Sequence, residues 1–262
     1  MKKKAILFDL DDTLLWDDRS VKEAFEGACR EAARTVSVDA AELEDAVKTT
    51  ARALYESYET YPFTQMIGIN PFEALWGRFK EGVNPEFRQL EKLAPVYRKD
   101  AWTGGLRKLG VEDEALGERL SDRFGELRRS LSYVYDDTYR VLDALKGEYK
   151  LLLLTNGSPD LQKEKLTGEP RLVPYFDHIV ISGNFGRGKP DPSLFEHAVQ
   201  LLGIQPEEGI MIGDKLTTDI LGSSRIGMEN VWINHHGAEV GEHVPPTYTI
   251  TKLEQLLTVI DR

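Results

Sequence analysis

The sequence predicts an α/β fold: a parallel sheet core with helices on both faces and a second, all-helical body inserted into it. Three observations predict this. From Tyr139 onward, short apolar runs alternate with amphipathic helical segments. Each apolar run is continuous rather than alternating with polar residues, as strands buried on both faces are. One further run, Ala5 to Phe8, stands over a hundred residues upstream with only helical signals in between. A sheet opened after its first strand is the economical arrangement. The expected boundaries are 1–16 and 135–262 for the core and 17–134 for the helical insert.

The elements follow in order. "AILF" is the first strand. "SVKEAFEGACREAARTV" carries Val21, Ala24, Phe25 and Ala28 at helical spacing behind a possible Ser20 N-cap. "DAAELEDAVKTTARALYESYET" is a helix capped by Asp39. Pro62, Pro71, Pro85 and Pro95 are expected to break the next stretch into short helices and loops. "EDEALGERLSDRFGELRRSL" closes the helical insert. The core then resumes with helix "TYRVLDALKG", strand "YKLLLLTNG" and strand "FDHIVISG". A helix follows, with Asp191 as N-cap and Pro192 at its first position. Strand "GIMIGD", helix "LTTDILGSSRIG", strand "NVWIN" and the segment "YTITKLEQLLTVI", a short strand and a helix, complete the chain.

Composition narrows the function. An apolar share of 41% against 29% charged excludes global disorder. A net charge of −11 argues against nucleic acid or an anionic membrane as partner, since both select for Lys and Arg. An anionic small molecule remains open, because a metal ion or one local lysine can reverse the field in a pocket. The single cysteine, Cys29, permits no intrachain disulfide and reads as a small buried hydrophobe. The apolar run after the N-terminal lysines stops at Asp9, short of the about 7–15 residues a secretory signal needs. "LLLL" at Leu151 to Leu154 is far below the roughly 20 residues that span a bilayer. The expectation is a soluble, cytoplasmic protein, monomeric or homodimeric.

Ligands in open α/β sheets bind beyond the carboxyl ends of the strands. Polar residues gather at that edge in four places: Asp9 and Asp11 after the first strand, Thr155 and Asn156 after "LLLL", Lys189 after "IVISG", and Asp214 after "MIG". Clustered carboxylates repel one another, and a cation would hold them together. His235 and His236 stand at the same edge, but adjacent histidines point apart and fit a solvent-facing loop better than a metal site.

"DLDDTLL", "LLLTNGS", "GKPDPSLF" and "GDKLTTD" resemble, in order and position, the four sequence motifs of the haloacid dehalogenase superfamily. The resemblance implies a Rossmann-like core with a helical cap that closes over the site. It makes Asp9 the nucleophile and Asp11 the general acid–base. Asp9, Asp214 and the Asp11 main-chain carbonyl would hold Mg²⁺, with Asp219 either ordering a metal-bound water or fixing Lys189. Thr155, Asn156 and Lys189 would bind the phosphoryl group. Asp12 and Thr13 are expected to be structural, and Lys215 to be a surface lysine. In the cap, Arg78, Arg98, Lys99 and Trp102 could touch substrate or serve the fold.

The implied activity is a Mg²⁺-dependent phosphatase acting through an aspartyl-phosphate on a small phosphorylated metabolite. The long cap and the "DDTLLWD" and "GDKLTTD" variants are similar to a bacterial group of capped phosphatases associated with O-phosphoserine. That makes O-phosphoserine the first substrate to expect, before sugar phosphates and nucleotides. A phosphomutase would keep every motif. A dehalogenase would have no use for Asp11 or Asp214, and a binding module would be expected to have lost at least one of the motif residues.

Overall fold

The structure is a computed structural model that describes residues 2–260. Its chain forms two bodies. One holds residues up to 17, 133–157 and from 169 onward; the other holds 18–132 and 158–168.

The first body is built on six parallel strands: β1 (Ala5–Phe8), β2 (Lys150–Thr155), β3 (His178–Ile181), β4 (Gly209–Gly213), β5 (Glu229–Ile233) and β6 (Tyr248–Ile250). Their order is β3-β2-β1-β4-β5-β6. β1 is central, with Ala5 beside Lys150 and Gly209, and Phe8 beside Leu153 and Ile212. The continuous apolar runs follow from this position, because helices cover both sheet faces. Ala5, Leu7, Leu152, Leu154 and Met211 pack on one face against Leu194, Phe195 and Ala198 of the helix Pro192–Leu202. Ile6 and Phe8 alternate to the other face, where Phe8 meets the Phe176 ring edge-on at 6.3 Å. Asp191 caps the helix Pro192–Leu202 by accepting from the Ser193 N–H at 3.0 Å, as the sequence predicts.

The second body is helical, with no strand among its described residues. Its core includes Phe25, Trp102 and Phe124, with Trp102 fully buried. Asp39 caps the helix Ala40–Ser57, accepting from the N–H groups of Ala41 and Glu42. Three expectations are corrected here. Ser20 is not an N-cap: the helix begins at Asp17, and the buried Ser20 hydroxyl donates to the Leu131 carbonyl. Pro95 does not end a helix but lies inside Glu86–Lys108. An interior proline costs about 3 kcal/mol, and this helix buries Phe87, Leu90, Tyr97, Trp102 and Leu106 to offset it. The segment 158–168, read as part of the sheet core, packs within the helical body. There the Ser158 hydroxyl donates to the Arg78 carbonyl at 2.8 Å, Arg129 pairs with Glu164 at 2.8 Å, and Lys165 pairs with Glu73 at 2.9 Å.

Candidate active site

In the strand order above, the chain winds outward from β1 to β3, returns to β4, and continues to β6. The reversal falls between β1 and β4, and a ligand crevice opens at the carboxyl ends of such a pair. Asp9 leaves β1 and Asp214 leaves β4 at that point.

Asp9 is fixed first by its main chain, which donates to the Ile212 carbonyl at 2.9 Å. The chain then turns tightly. Leu10 O accepts from Leu14 N and Leu15 N at 3.0 and 2.9 Å, and Asp12 N donates to Leu15 O at 2.7 Å. Asp12 has φ 57°, a left-handed conformation that Asp tolerates better than most residues. Its expected structural role agrees with this geometry.

Lys189 connects the motifs. Its ammonium lies 2.6 Å from Asp9 Oδ1, 2.7 Å from Asp219 Oδ1, and donates to the Leu154 carbonyl at 2.8 Å. Two of its three N–H groups donate to Asp9 and Leu154, and Asp219 faces the ammonium as an ion pair. The side chain is 2% exposed. Burial alone would push its pKa down, but Asp219 and Asp9 outweigh that and hold the ammonium above the usual lysine range. Asn156 sets the lysine's main chain: its Oδ1 accepts from Lys189 N at 2.8 Å and its Nδ2 donates to Lys189 O at 2.9 Å. The Asn156 side chain is thus occupied, which leaves its main chain for any phosphate contact. Thr155, also at the end of β2, is buried.

Asp219 lies fully buried in a wide helical turn, where Ile220 N reaches back five residues to Lys215 O. Such turns occur often at functional sites. Its Oδ2 accepts from Lys215 N at 3.1 Å. A Cβ on Gly213 would collide with the Asp219 carboxylate, so only glycine fits at that position. Asp219 is therefore a second anchor for Lys189.

Asp9, Asp214 and Asp219 each offer one carboxylate oxygen within 4.8 Å of the others. Asp11 contributes no carboxylate oxygen to this group, and its expected ligand is its main-chain carbonyl. Asp214 Oδ1 is buried and accepts no hydrogen bond among the described residues. Burial, then the neighbouring Asp9, Asp219 and Asp12, push the Asp214 carboxyl well above the ordinary carboxylate range, although Lys215 pulls the other way. Burial likewise raises Asp9, with Lys189 opposing it. An orphaned buried carboxylate oxygen beside two further carboxylates fits a hard cation with oxygen ligands.

Lys215 was expected at the surface and much of it is exposed. Yet Asp214, Asp9, Asp219 and Asp11 all act on it, and they outweigh desolvation to hold its ammonium above the usual range. It belongs to the charge balance of the site. His235, read from the sequence as part of a solvent-facing loop, lies with its Nε2 3.0 Å from the Asp12 carbonyl. Its place at a strand's carboxyl end was the available signal. Three of the helical-body candidates have contacts within that body, while the Arg78 side chain is exposed. Lys99 pairs with Glu114 and Glu118, Trp102 is core, and Arg98 donates to the carbonyls of Ala74 and Gly77.

Residues 3–227 match the family described as haloacid dehalogenase-like hydrolase, and the chain belongs to that family. It is 36% identical over 231 residues to a phosphoserine phosphatase of Thermus thermophilus, covering 88% of each chain. It is 29% identical over 263 residues to the pyrimidine 5'-nucleotidase PynA of Streptococcus pneumoniae, covering 99% of this chain and 95% of that one. Among solved structures, the putative HAD-hydrolase YfnB of Bacillus subtilis shares the fold, with a TM-score of 0.69, 21% identity and complete coverage of both chains. No helix among the described residues is long and apolar enough to cross a membrane.

Proposed function

We propose that the protein is a Mg²⁺-dependent phosphomonoester phosphatase whose first substrate is O-phosphoserine. One observation carries the phosphatase reading: a buried lysine holds the strand-end Asp9 while an unsatisfied Asp214 oxygen sits in the same carboxylate group. Carboxylates outnumber the two ammonium groups there, an acidic surplus that a divalent cation would offset. Asp9, Asp214 and the Asp11 carbonyl would hold Mg²⁺, with Asp219 acting mainly through Lys189. When bound, the ion offsets the repulsion between the carboxylates and the incoming phosphate.

An Asp9 oxygen attacks phosphorus as the bond to the leaving oxygen breaks. Asp11 gives its proton to that alkoxide, then removes one from the water that hydrolyses the aspartyl-phosphate. Thr155 Oγ1 and the Asn156 main-chain N–H would bind phosphoryl oxygens. Lys189 keeps Asp9 aimed and lends positive charge. Two of its N–H groups already donate to Asp9 and Leu154 and it pairs with Asp219, so a direct bond to phosphate competes with that ion pair.

The substrate reading is supported by the phosphoserine phosphatase relative that matches most of this chain. The nucleotidase relative, covering nearly all of it, makes pyrimidine nucleoside monophosphates the second class. A screen of released phosphate over phosphorylated metabolites, with Mg²⁺ and with chelator, tests both parts. Phosphoserine should rank first and chelator should abolish release. If a nucleoside monophosphate or a generic aryl phosphate matches phosphoserine, the substrate assignment fails. Release that persists in chelator refutes the metal requirement.

A further inference from the structure

Main-chain bonds within the motif close the turn that carries Asp11, and one residue from outside the motif also reaches it. The peptide between Asp11 and Asp12 is oriented by Asp12 N–H, which donates to Leu15 O at 2.7 Å. In a trans peptide the Asp11 carbonyl then points the opposite way. The next peptide, between Asp12 and Thr13, follows a left-handed residue with φ 57°, a conformation that costs energy unless its surroundings impose it. Its carbonyl lies 3.0 Å from His235 Nε2. A carbonyl can only accept, so Nε2 carries the proton and donates.

The imidazole is itself held in place. Its ring stacks on Tyr135 at 4.2 Å with planes 11° apart. Tyr135 stacks in turn on Trp16 at 5.3 Å and 16°. The two segments carrying these aromatic rings are joined by the main chain, with Trp16 N donating to Tyr133 O at 2.9 Å and Tyr135 N to Leu14 O at 3.2 Å. A histidine 223 residues from Asp12 therefore reaches the nucleophile turn with a stacked ring and an Nε2–H donor.

We propose that His235 is a positioning residue. Its Nε2–H bond to the Asp12 carbonyl holds the left-handed turn so that the Asp11 carbonyl faces the carboxylate group and the Asp11 side chain faces the leaving oxygen. The role of Asp11 in this statement rests on the phosphatase reading above. Outer-shell partners of this kind change metal affinity or activity by about 10- to 100-fold when removed.

Three variants separate the bond from the ring. His235→Ala removes both, His235→Phe keeps a stacking ring without the donor, and His235→Gln restores an amide donor without the ring. Each is checked for folding by circular dichroism. Three quantities are then measured: Mg²⁺ affinity by calorimetry, kcat and KM, and hydrogen exchange of the peptide covering residues 9–15. Ala and Phe should weaken Mg²⁺ binding and lower kcat by about 10-fold or more with KM little changed. Both should speed exchange in that peptide, and Gln should recover most of each loss. If Phe behaves as wild type while Gln behaves as Ala, ring packing alone matters and the proposal fails. It fails also if Ala changes all three by less than twofold. Should wild type hydrolyse no phosphomonoester, the functional reading falls, while exchange in the Phe and Gln variants still decides whether this bond holds the turn.

Discussion

Each body of the molecule contains a buried lysine–carboxylate pair, and the two differ in how their carboxylates are engaged. In the helical body Lys165 meets Glu73 at 2.9 Å, with the side chains 4% and 6% exposed. The other Glu73 oxygen accepts from Asn70 N at 3.0 Å, so both carboxylate oxygens are engaged. In the sheet body Lys189 is shared by two carboxylates, and a third, Asp214, keeps an unsatisfied oxygen beside them. A pair whose carboxylate oxygens are both engaged holds a fold together. An acidic surplus at a sheet edge repels itself and is tolerated where a cation and a phosphate would be bound.

The sharpest way to test that contrast is to neutralise one carboxylate in the surplus. Asp9→Asn should lower turnover by at least about 10³-fold, as losing a nucleophile does, while the thermal midpoint stays near wild type. Single-turnover phosphate release and a melting curve read both. Activity within tenfold of wild type would remove Asp9 from the mechanism.

The helical-body pair should answer in the opposite way. Glu73→Gln removes the carboxylate charge beside the buried Lys165 ammonium and should cost about 3–5 kcal/mol of stability, whereas replacing both partners with apolar residues of similar volume should cost little or nothing. Urea denaturation measures this. In neither case should the kcat of the folded fraction change more than severalfold, and a collapse of kcat at full folding would show that the pair serves chemistry.

A smaller effect is expected at Asp214. Its folded carboxyl binds a proton more tightly than in the unfolded chain. Between the ordinary carboxylate range and its raised folded value, the folded state therefore holds more protons, and stability falls as pH rises through that window. In chelator, Asp214→Asn should flatten this fall and raise the neutral-pH midpoint by about 2–4 °C. It should also reduce the stabilisation that Mg²⁺ gives wild type. A lower midpoint in chelator would mean that Asp214 is better satisfied than its orphaned oxygen indicates.

The smallest effect is expected at Cys29. Burial, then Glu44, pushes its thiol up to about 12, so almost no thiolate exists at neutral pH. A thiol reagent should leave the native protein unlabelled and label it only after denaturation. Labelling of native protein at the rate of a free thiol would show that the helical core opens locally.

The sequence by itself determined the strands, the sheet class and the sheet edge at which the polar residues gather. Those are properties of local pattern: an apolar run of four or five residues ending in a carboxylate states its own burial and its own polar end. Asp9, Thr155 and Asp214 were legible for that reason, and so were the caps at Asp39 and Asp191. Tertiary structure alone decided who partners whom. The bond from Lys189 to Asp9 spans 180 residues and that from His235 to Asp12 spans 223, and no periodicity encodes such a pairing. The same holds for the helix Pro159–Gly168. Its two leucines, Leu161 and Leu166, mark no single face, and only the fold places Lys165 against Glu73 in the helical body. Hydrophobic pattern is a one-residue property that the chain carries along its length, whereas a charge balance is a sum over residues that only folding brings within a few ångströms of one another.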